Sequence, residues 1–315
     1  DVVATVARDG WARLPVRLEQ VDGNGILPLR ATDHAFPTAA AFRWTWQKII
    51  HPHLGFWPAA TLPAQPRRAV APPDVLARYP MATPAQLAAA PAALAALPID
   101  HTVGPAPVRG GAVAGAAALA TFLAERLARY GEARNQPEAD VASGLSPYLH
   151  FGHVGAHQLI GAVLRDADWD PSRLAPRANG VREGYWGLPP AHQSFMDEAL
   201  TWRELGYGFS FHRPDDYDQY ESLPDWARTS LDDAAADPRP FSYTLAELEA
   251  ARTHDPLWNA AQRQLVTEGK IHNYLRMLWG KKILEWSPSP RAALAALIEL
   301  NNKYALDGRN PNSYS

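Results

Sequence analysis

The stretch HNYLRMLWGKKILEW, residues 272–286, decides how the rest of the chain is read. Its spacing predicts one helix with 3.6 residues per turn, on which Asn273, Arg276 and Trp279 follow one another at i, i+3 and i+6. Trp279 and Trp286 lie two turns apart and share a face. One reading is an ordinary amphipathic helix, with the Trp residues in the core and the Arg in solvent. The other is a buried Arg held by a carboxylate beside a planar cofactor, with the Trp residues leading outward. That second reading demands a matching acid, and Asp307 in YALDGRNPN, just after the next helix and beside Gly308, supplies a candidate.

Composition sets the outer limits. A chain of 315 residues, 47% hydrophobic and 20% charged, is expected to fold as one large or two moderate globular domains. It has no cysteine, which excludes a disulfide framework, a thiolate zinc site and a cysteine nucleophile. The net charge of -3 argues against a surface coated in positive charge for nucleic acid, but a local basic groove fits inside a neutral total. No apolar run reaches the roughly 20 residues of a membrane span, and no charged-then-apolar leader opens the chain, so the expected location is cytoplasmic. Eleven Trp residues are a heavy load, usable for packing, for stacking or for electron transfer.

Outward from residue 272 the pattern is almost wholly helical. Helices are expected in AVAGAAALATFLAERLARYGEARN from Ala112, in HVGAHQLIGAVLRDA, in SFMDEALTWRELGYGF, and over 244–252, 256–268 and 290–304. SPSP at 287–290 ends one helix and starts the next, with Ser289 as N-cap and Pro290 in the first turn. Residues 58–111 are rich in Pro and Ala and read as a connector, with a short helix around 84–97. Before it, TAAAFRWTWQKIIHPHL reads as a helix and PVRLEQVDGN as a strand. A lone strand needs a sheet, so residues 1–57 are expected to be the remnant of a larger α/β domain. The expected organisation is therefore mainly α: the remnant at 1–57, the connector at 58–111 and a helical domain at 112–315.

Further motifs accompany the central helix. In SGLSPYLHFG, Ser143, Gly144, Leu145 and Ser146 precede a short helix with Pro147 in its first turn; this is an ordinary helix start, or a cradle of hydroxyls and backbone N–H groups for phosphate. Tyr130 and Arg134, one turn apart upstream, join such a site or lie on the surface. In DEALTWRELGY, Glu198 and Trp202 are one turn apart, so that a carboxylate and a flat ring face one cavity; the plain alternative is surface pairing of Glu198 or Glu204 with Arg203. The close histidine pairs, His51 and His53, His150 and His153, and His153 and His157, lack a carboxylate cluster, and no metal site is expected. GxSxG, P-loop and GxGxxG signatures do not occur.

Together YGEARNQP, SGLSPYLHFG, the Glu198-x-x-x-Trp202-Arg203-Glu204-Leu205 segment, THDPLWNAAQ, HNYLRMLWGKKILEW and LNNKYALDGRNPNSY resemble the photolyase and cryptochrome family. The nearest resemblance is to the class II cyclobutane pyrimidine dimer photolyases and their bacterial relatives. It implies an all-helical FAD-binding domain after a Rossmann-like antenna domain, here mostly missing, whose chromophore is unknown. Tyr130, Arg134 and Ser143 to Ser146 match segments that hold the FAD phosphates. Asn273, Arg276, Asn301, Asp307 and Gly308 match positions around the isoalloxazine, with Arg276 and Asp307 a buried pair and Asn301 the partner of flavin N5. Glu198, Trp202 and Asn273 match contacts to the flipped-out dimer. Trp258, Trp279 and Trp286 look like the family's electron chain between the surface and FAD. The implied activity is light-driven repair of UV-damaged DNA by a monomer, needing no general base or nucleophile; the alternative is a cryptochrome-like photoreceptor. Three departures stand out. Asn310 replaces an Asp common in relatives, Asn273 is more typical of other photolyase classes, and Ser315 falls inside a C-terminal motif that is expected to continue into a further Trp and basic residues.

Overall fold

The computed structural model describes residues 21–55, 57–58, 72–88 and 91–314, and they are mainly helical, with no strand among them. Most of the strand expected in PVRLEQVDGN lies outside the described residues. The helix expected over residues 38–54 is α1 (Ala39–Ile49), opened by the Thr38 hydroxyl accepting from the Ala41 N–H. It narrows into a 3-10 turn at His51–Gly55, where Pro52 has no N–H for an α-helical ladder. In the connector, the helix expected over residues 84–97 is two short pieces, Pro84–Leu87 and Pro91–Ala95.

The long helix from Ala112 is α2 (Ala112–Thr121), a π-helical stretch at Phe122–Arg126 and α3 (Leu127–Ala133). After α4 (Ala156–Asp166) the same construction recurs: α5 (Pro190–Met196), a π-helical stretch at Asp197–Trp202 and α6 (Arg203–His212). A π-turn holds an extra residue and so redirects the side chains beyond it. Next come α7 (Asp225–Asp233), absent from the expectations, and α8 (Pro256–Glu268), which Asp255 caps by accepting from the Leu257 and Trp258 N–H groups. Helix α9 (Asn273–Trp286) is the stretch read first, and α10 (Pro290–Tyr304) comes after it with Ser289 as its N-cap, as expected.

Two hydrophobic cores result. The first gathers Ile26, Phe42, Trp46 and Ile50 with Phe122, Leu127, Leu159, Tyr185, Trp186, Met196 and Leu200. The second joins Trp258, Leu265, Trp279, Ile283, Trp286, Leu300 and Tyr304 from α8, α9 and α10. Two glycines dock the final loop onto this second core. A Cβ on Gly269, whose φ is +69°, would lie 2.6 Å from the Leu306 side chain, and one on Gly308 would lie 2.7 Å from the Asn301 carbonyl. Leu306 donates its N–H to the Gly269 carbonyl at 2.8 Å, so Asp307 is delivered to one fixed place beside α9.

Candidate functional site

Asp307 reaches Arg276. The Arg276 Nη1 donates to both Asp307 carboxylate oxygens, at 3.2 and 3.3 Å, and its Nη2 donates to the Asn301 Oδ1. Three residues expected around a planar cofactor therefore meet across α9, α10 and the loop beyond. The expected burial of the pair is corrected: the Arg276 and Asp307 side chains keep 29% and 21% of their surface, because they sit where α9 begins and the final loop crosses it, at the margin of the core. Asn301 is the buried member, at 8% exposure. Its Oδ1 is taken by Arg276, while its amide nitrogen has no hydrogen-bond partner among the described residues. A second unpaired nitrogen lies at the start of α9, the helix of Arg276: His272 caps it by accepting the Tyr274 N–H on Nδ1, and its buried Nε2 has no partner. Asn273 is exposed.

The loop carrying Asp307 also joins this cluster to the SGLSPYLHFG segment. Asn310 donates from Nδ2 to His150 Nδ1 at 3.3 Å and to the Tyr207 hydroxyl at 3.2 Å. Burial lowers the pKa of His150, against the pull of nearby Asp307, so its ring is neutral and able to accept. With His150 Nδ1 unprotonated, the Asn310 amide donates to it, a bond that a carboxylate at this position cannot make. Within the segment, the Ser143 hydroxyl accepts the Leu145 N–H at 3.3 Å, Gly144 takes φ +69°, Leu145 is buried at 1% exposure, and Ser146 is exposed. Two short links run from the same loop to the π-helical stretch, where Asn312 Nδ2 donates to the Trp202 and Arg203 carbonyls at 3.0 and 3.1 Å.

Glu198 and Arg134, placed by their motifs in two different sites, form an ion pair. Arg182 stands 4.0 Å from Glu198 and 3.4 Å from Asp197, and Asp197 is gripped by Arg43 through Nε and Nη2 at 2.8 and 3.0 Å. Burial opposes charge on Arg134, but the Glu198 carboxylate outweighs it and raises the Arg134 pKa. Burial, reinforced by Glu198, also raises the Tyr130 pKa; the ring packs edge-on against Phe195 with centroids 5.2 Å apart. Trp202 is 48% exposed, on the surface beyond this network. Neither surface pairing considered for Arg203 occurs: Glu198 pairs with Arg134, and Glu204 is buried at 6% exposure. Glu204 accepts the Ile26 and Leu27 N–H groups at 2.6 and 3.2 Å. Burial nonetheless drives its pKa up to about 7, against those two bonds. Nothing local to Glu204 signals this, since its partners lie 178 and 177 residues away.

The Trp residues form a packed cluster and not the expected line to the surface. Trp258, Trp279 and Trp286 are 3%, 4% and 1% exposed. Two turns of helix separate Trp279 from Trp286 by about 10 Å, and Trp258 fills the gap. Its ring stacks on Trp279, with centroids 6.3 Å and planes 2° apart, and meets Trp286 edge-on at 5.6 Å. Outward from Trp286 the contacts pass to Tyr243 and His254, at 5.4 and 5.3 Å. Gln262, fully buried, accepts the Trp279 indole N–H on Oε1 at 2.8 Å. Sequence reasoning missed it, although its place four residues after Trp258 puts it on the inward stripe of α8. Among the described residues, no three His, Asp or Glu residues gather as a metal site, and no helix is long and apolar enough to cross a membrane.

Three relatives are similar to the chain in sequence. The chain is 44% identical over 204 residues to a deoxyribodipyrimidine photo-lyase of Potorous tridactylus, covering 65% of this chain and 35% of that protein. It is 40% identical over 211 residues to one of Methanothermobacter thermautotrophicus, covering 67% and 42%. It is 43% identical over 194 residues to one of Oryza sativa subsp. japonica, covering 61% and 35%. The chain thus spans between 35% and 42% of the length of these relatives. No protein-family model matches it. Matches of 40% to 44% identity to proteins of one name, over 61% to 67% of this chain, identify it as a relative of the photolyases.

Proposed function

We propose that the chain is the FAD-binding part of a class II cyclobutane pyrimidine dimer photolyase that repairs UV-damaged DNA in the light. In this reading residues 58–111 connect the remnant of an α/β domain at 1–57 to the helical domain at 112–315. One observation carries the reading most: Arg276, on the helix whose far end belongs to the Trp cluster, meets Asn301 and Asp307 in a half-open charge cluster. Its donors fit FAD. An oxygen- and nitrogen-rich ring needs donors along its edge; the Asn301 amide nitrogen is spare, and the His272 Nε2 is a buried polar atom without a partner. When bound and reduced, FAD supplies a light-driven electron that opens the cyclobutane ring and is then returned.

The residues divide the remaining work. Arg276, charge-balanced by Asp307, and Asn301 hold the isoalloxazine edge, with Asn273 and Gly308 beside them. Tyr130, Arg134, Ser143, Gly144, Leu145 and Ser146 hold the phosphates, and the Asn310 bond to His150 keeps the latter segment against the Asp307 loop. Glu198 and Trp202 receive the flipped-out dimer; a half-exposed indole offers the flat face that base stacking requires. The Arg134 pair holds the Glu198 carboxylate in place. Trp258, Trp279 and Trp286 pass electrons toward the flavin. The exposed Trp202 favours repair over signalling alone, since a photoreceptor has no use for a surface stacking platform beside a held carboxylate. The test is repair of thymine dimers in an oligonucleotide by the FAD-loaded, reduced protein. Restoration of intact thymines only under blue light is expected, and flavin-loaded protein that leaves dimers untouched would restrict the chain to photoreception.

A further inference from the structure

We propose that Gln262 is the positioning residue that fixes the Trp279 indole and makes it keep its proton when it gives up an electron. The proposal rests on the light-driven reading above. Trp279 is 4% exposed and its N–H donates to Gln262 Oε1 at 2.8 Å. Gln262 is itself tied down, with Nε2 donating to the Glu249 carbonyl at 3.5 Å. The Trp258 indole N–H donates to the Trp279 backbone carbonyl at 3.1 Å, and the buried Trp286 indole nitrogen has no partner at all. The three indoles therefore face an amide oxygen, a peptide oxygen and nothing.

One-electron oxidation turns an indole N–H into an acid, so the group that accepts its hydrogen bond decides where the proton goes. A carboxylate or an imidazole takes the proton, leaving a neutral radical that recovers its electron only when the proton returns. An amide oxygen is an acceptor without being a base at neutral pH. The carboxylate of Glu249, whose backbone carbonyl holds Gln262, is engaged by Lys303 and Tyr304, at 2.7 and 2.6 Å. The step balances with electrons alone: one leaves Trp279 for a photoexcited oxidised flavin, one leaves Trp258 to refill Trp279, and the indole nitrogen keeps its hydrogen throughout. The same bond locks the ring parallel to Trp258, with planes 2° apart, which is the overlap that the second transfer uses.

The experiment compares wild type with Gln262→Leu, which removes the acceptor at similar volume, and Gln262→Glu, which restores an oxygen at the same reach. In flavin-free protein the Trp279 indole N–H is read by 15N-edited NMR, assigned with Trp279→Phe. The expected result is a Trp279 resonance that moves upfield in Gln262→Leu and returns in Gln262→Glu, with the Trp286 resonance fixed in both. An unmoved Trp279 resonance in Gln262→Leu overturns the proposal. In flavin-loaded protein a laser flash should give the protonated tryptophan radical in wild type and the deprotonated, neutral radical in Gln262→Glu, while Gln262→Leu, which frees the ring, lowers the yield several-fold. A normal wild-type signal with unchanged Gln262→Leu kinetics overturns the role of Gln262 alone, whereas a wild type that binds flavin but yields no tryptophan radical overturns the light-driven reading itself.

Discussion

Two arginine–aspartate pairs that join residues far apart in sequence, Arg43 with Asp197 and Arg276 with Asp307, are built differently. Arg43 and Asp197 keep 11% and 4% of their side-chain surface, and the guanidinium meets both carboxylate oxygens through two nitrogens. Arg276 and Asp307 keep 29% and 21%, and the guanidinium spends its second nitrogen on Asn301. The first pair is buried and bidentate, with Arg182 standing 3.4 Å from the same carboxylate. The second is half open, and the amide attached to it has donors to spare. A closed pair ties α1 to the π-helical stretch, whereas an open one has capacity left for a ligand. Burial, more than the residue types, separates the two pairs.

The contrast between the two pairs can be broken at several points. The largest effect is expected from Asp197→Ala, which strands Arg43 in the core and should cost about 3–5 kcal/mol of stability; urea unfolding measures it, and a loss below about 1 kcal/mol would make the pair no more than a surface bridge. Asp307→Ala should instead weaken FAD binding by about 100-fold, equivalent to about 3 kcal/mol, while the melting curve of the flavin-free protein stays close to wild type. Full flavin occupancy in this variant would deny the second pair its role.

Glu204 sharpens the contrast from the other side, as a buried carboxylate with no arginine bonded to it. Its folded pKa of about 7 lies above the unfolded value of 4.5, so between these pH values the folded chain holds the extra proton. Stability from this group is therefore full below pH 4.5 and declines as pH rises to 7, by about 2–3 kcal/mol. Urea midpoints at pH 5 and pH 8 should show the decline in wild type, and Glu204→Gln should flatten it; equal slopes in the two proteins would mean that the carboxylate is solvated. The smallest effect concerns Trp202→Ala, which should weaken binding of dimer-containing DNA by about 1–2 kcal/mol and leave the flavin spectrum unchanged. Equal affinity of both proteins would remove Trp202 from the DNA surface.

What the sequence made legible was local. Ser289 before Pro290 announces a helix start through the hydrogen bond that its hydroxyl oxygen accepts. The Arg276–Asp307 pair could be anticipated because Gly308 marks a close turn and α9 places Arg276 on a readable face. Contacts across the fold left no such mark. Arg43 and Asp197 are 154 residues apart, and Glu204 beside Arg203 looks like a surface ion pair until its distant N–H partners are known. The two π-helical stretches carry no distinctive residue pattern, yet the second of them sends Asp197 to Arg43 and Glu198 to Arg134. Helical periodicity places Trp279 and Trp286 on one face but says nothing of Trp258, which comes from another helix to close the cluster.

Whether the half-open cluster at Arg276, Asn301 and Asp307 holds a flavin is the central question. The decisive measurement is the visible absorption spectrum of the purified protein after incubation with FAD and removal of free cofactor, in the dark and after blue light with an external reductant. Flavin bands that stay with the protein and bleach on illumination are the predicted result. A protein that remains colourless after incubation would contradict it.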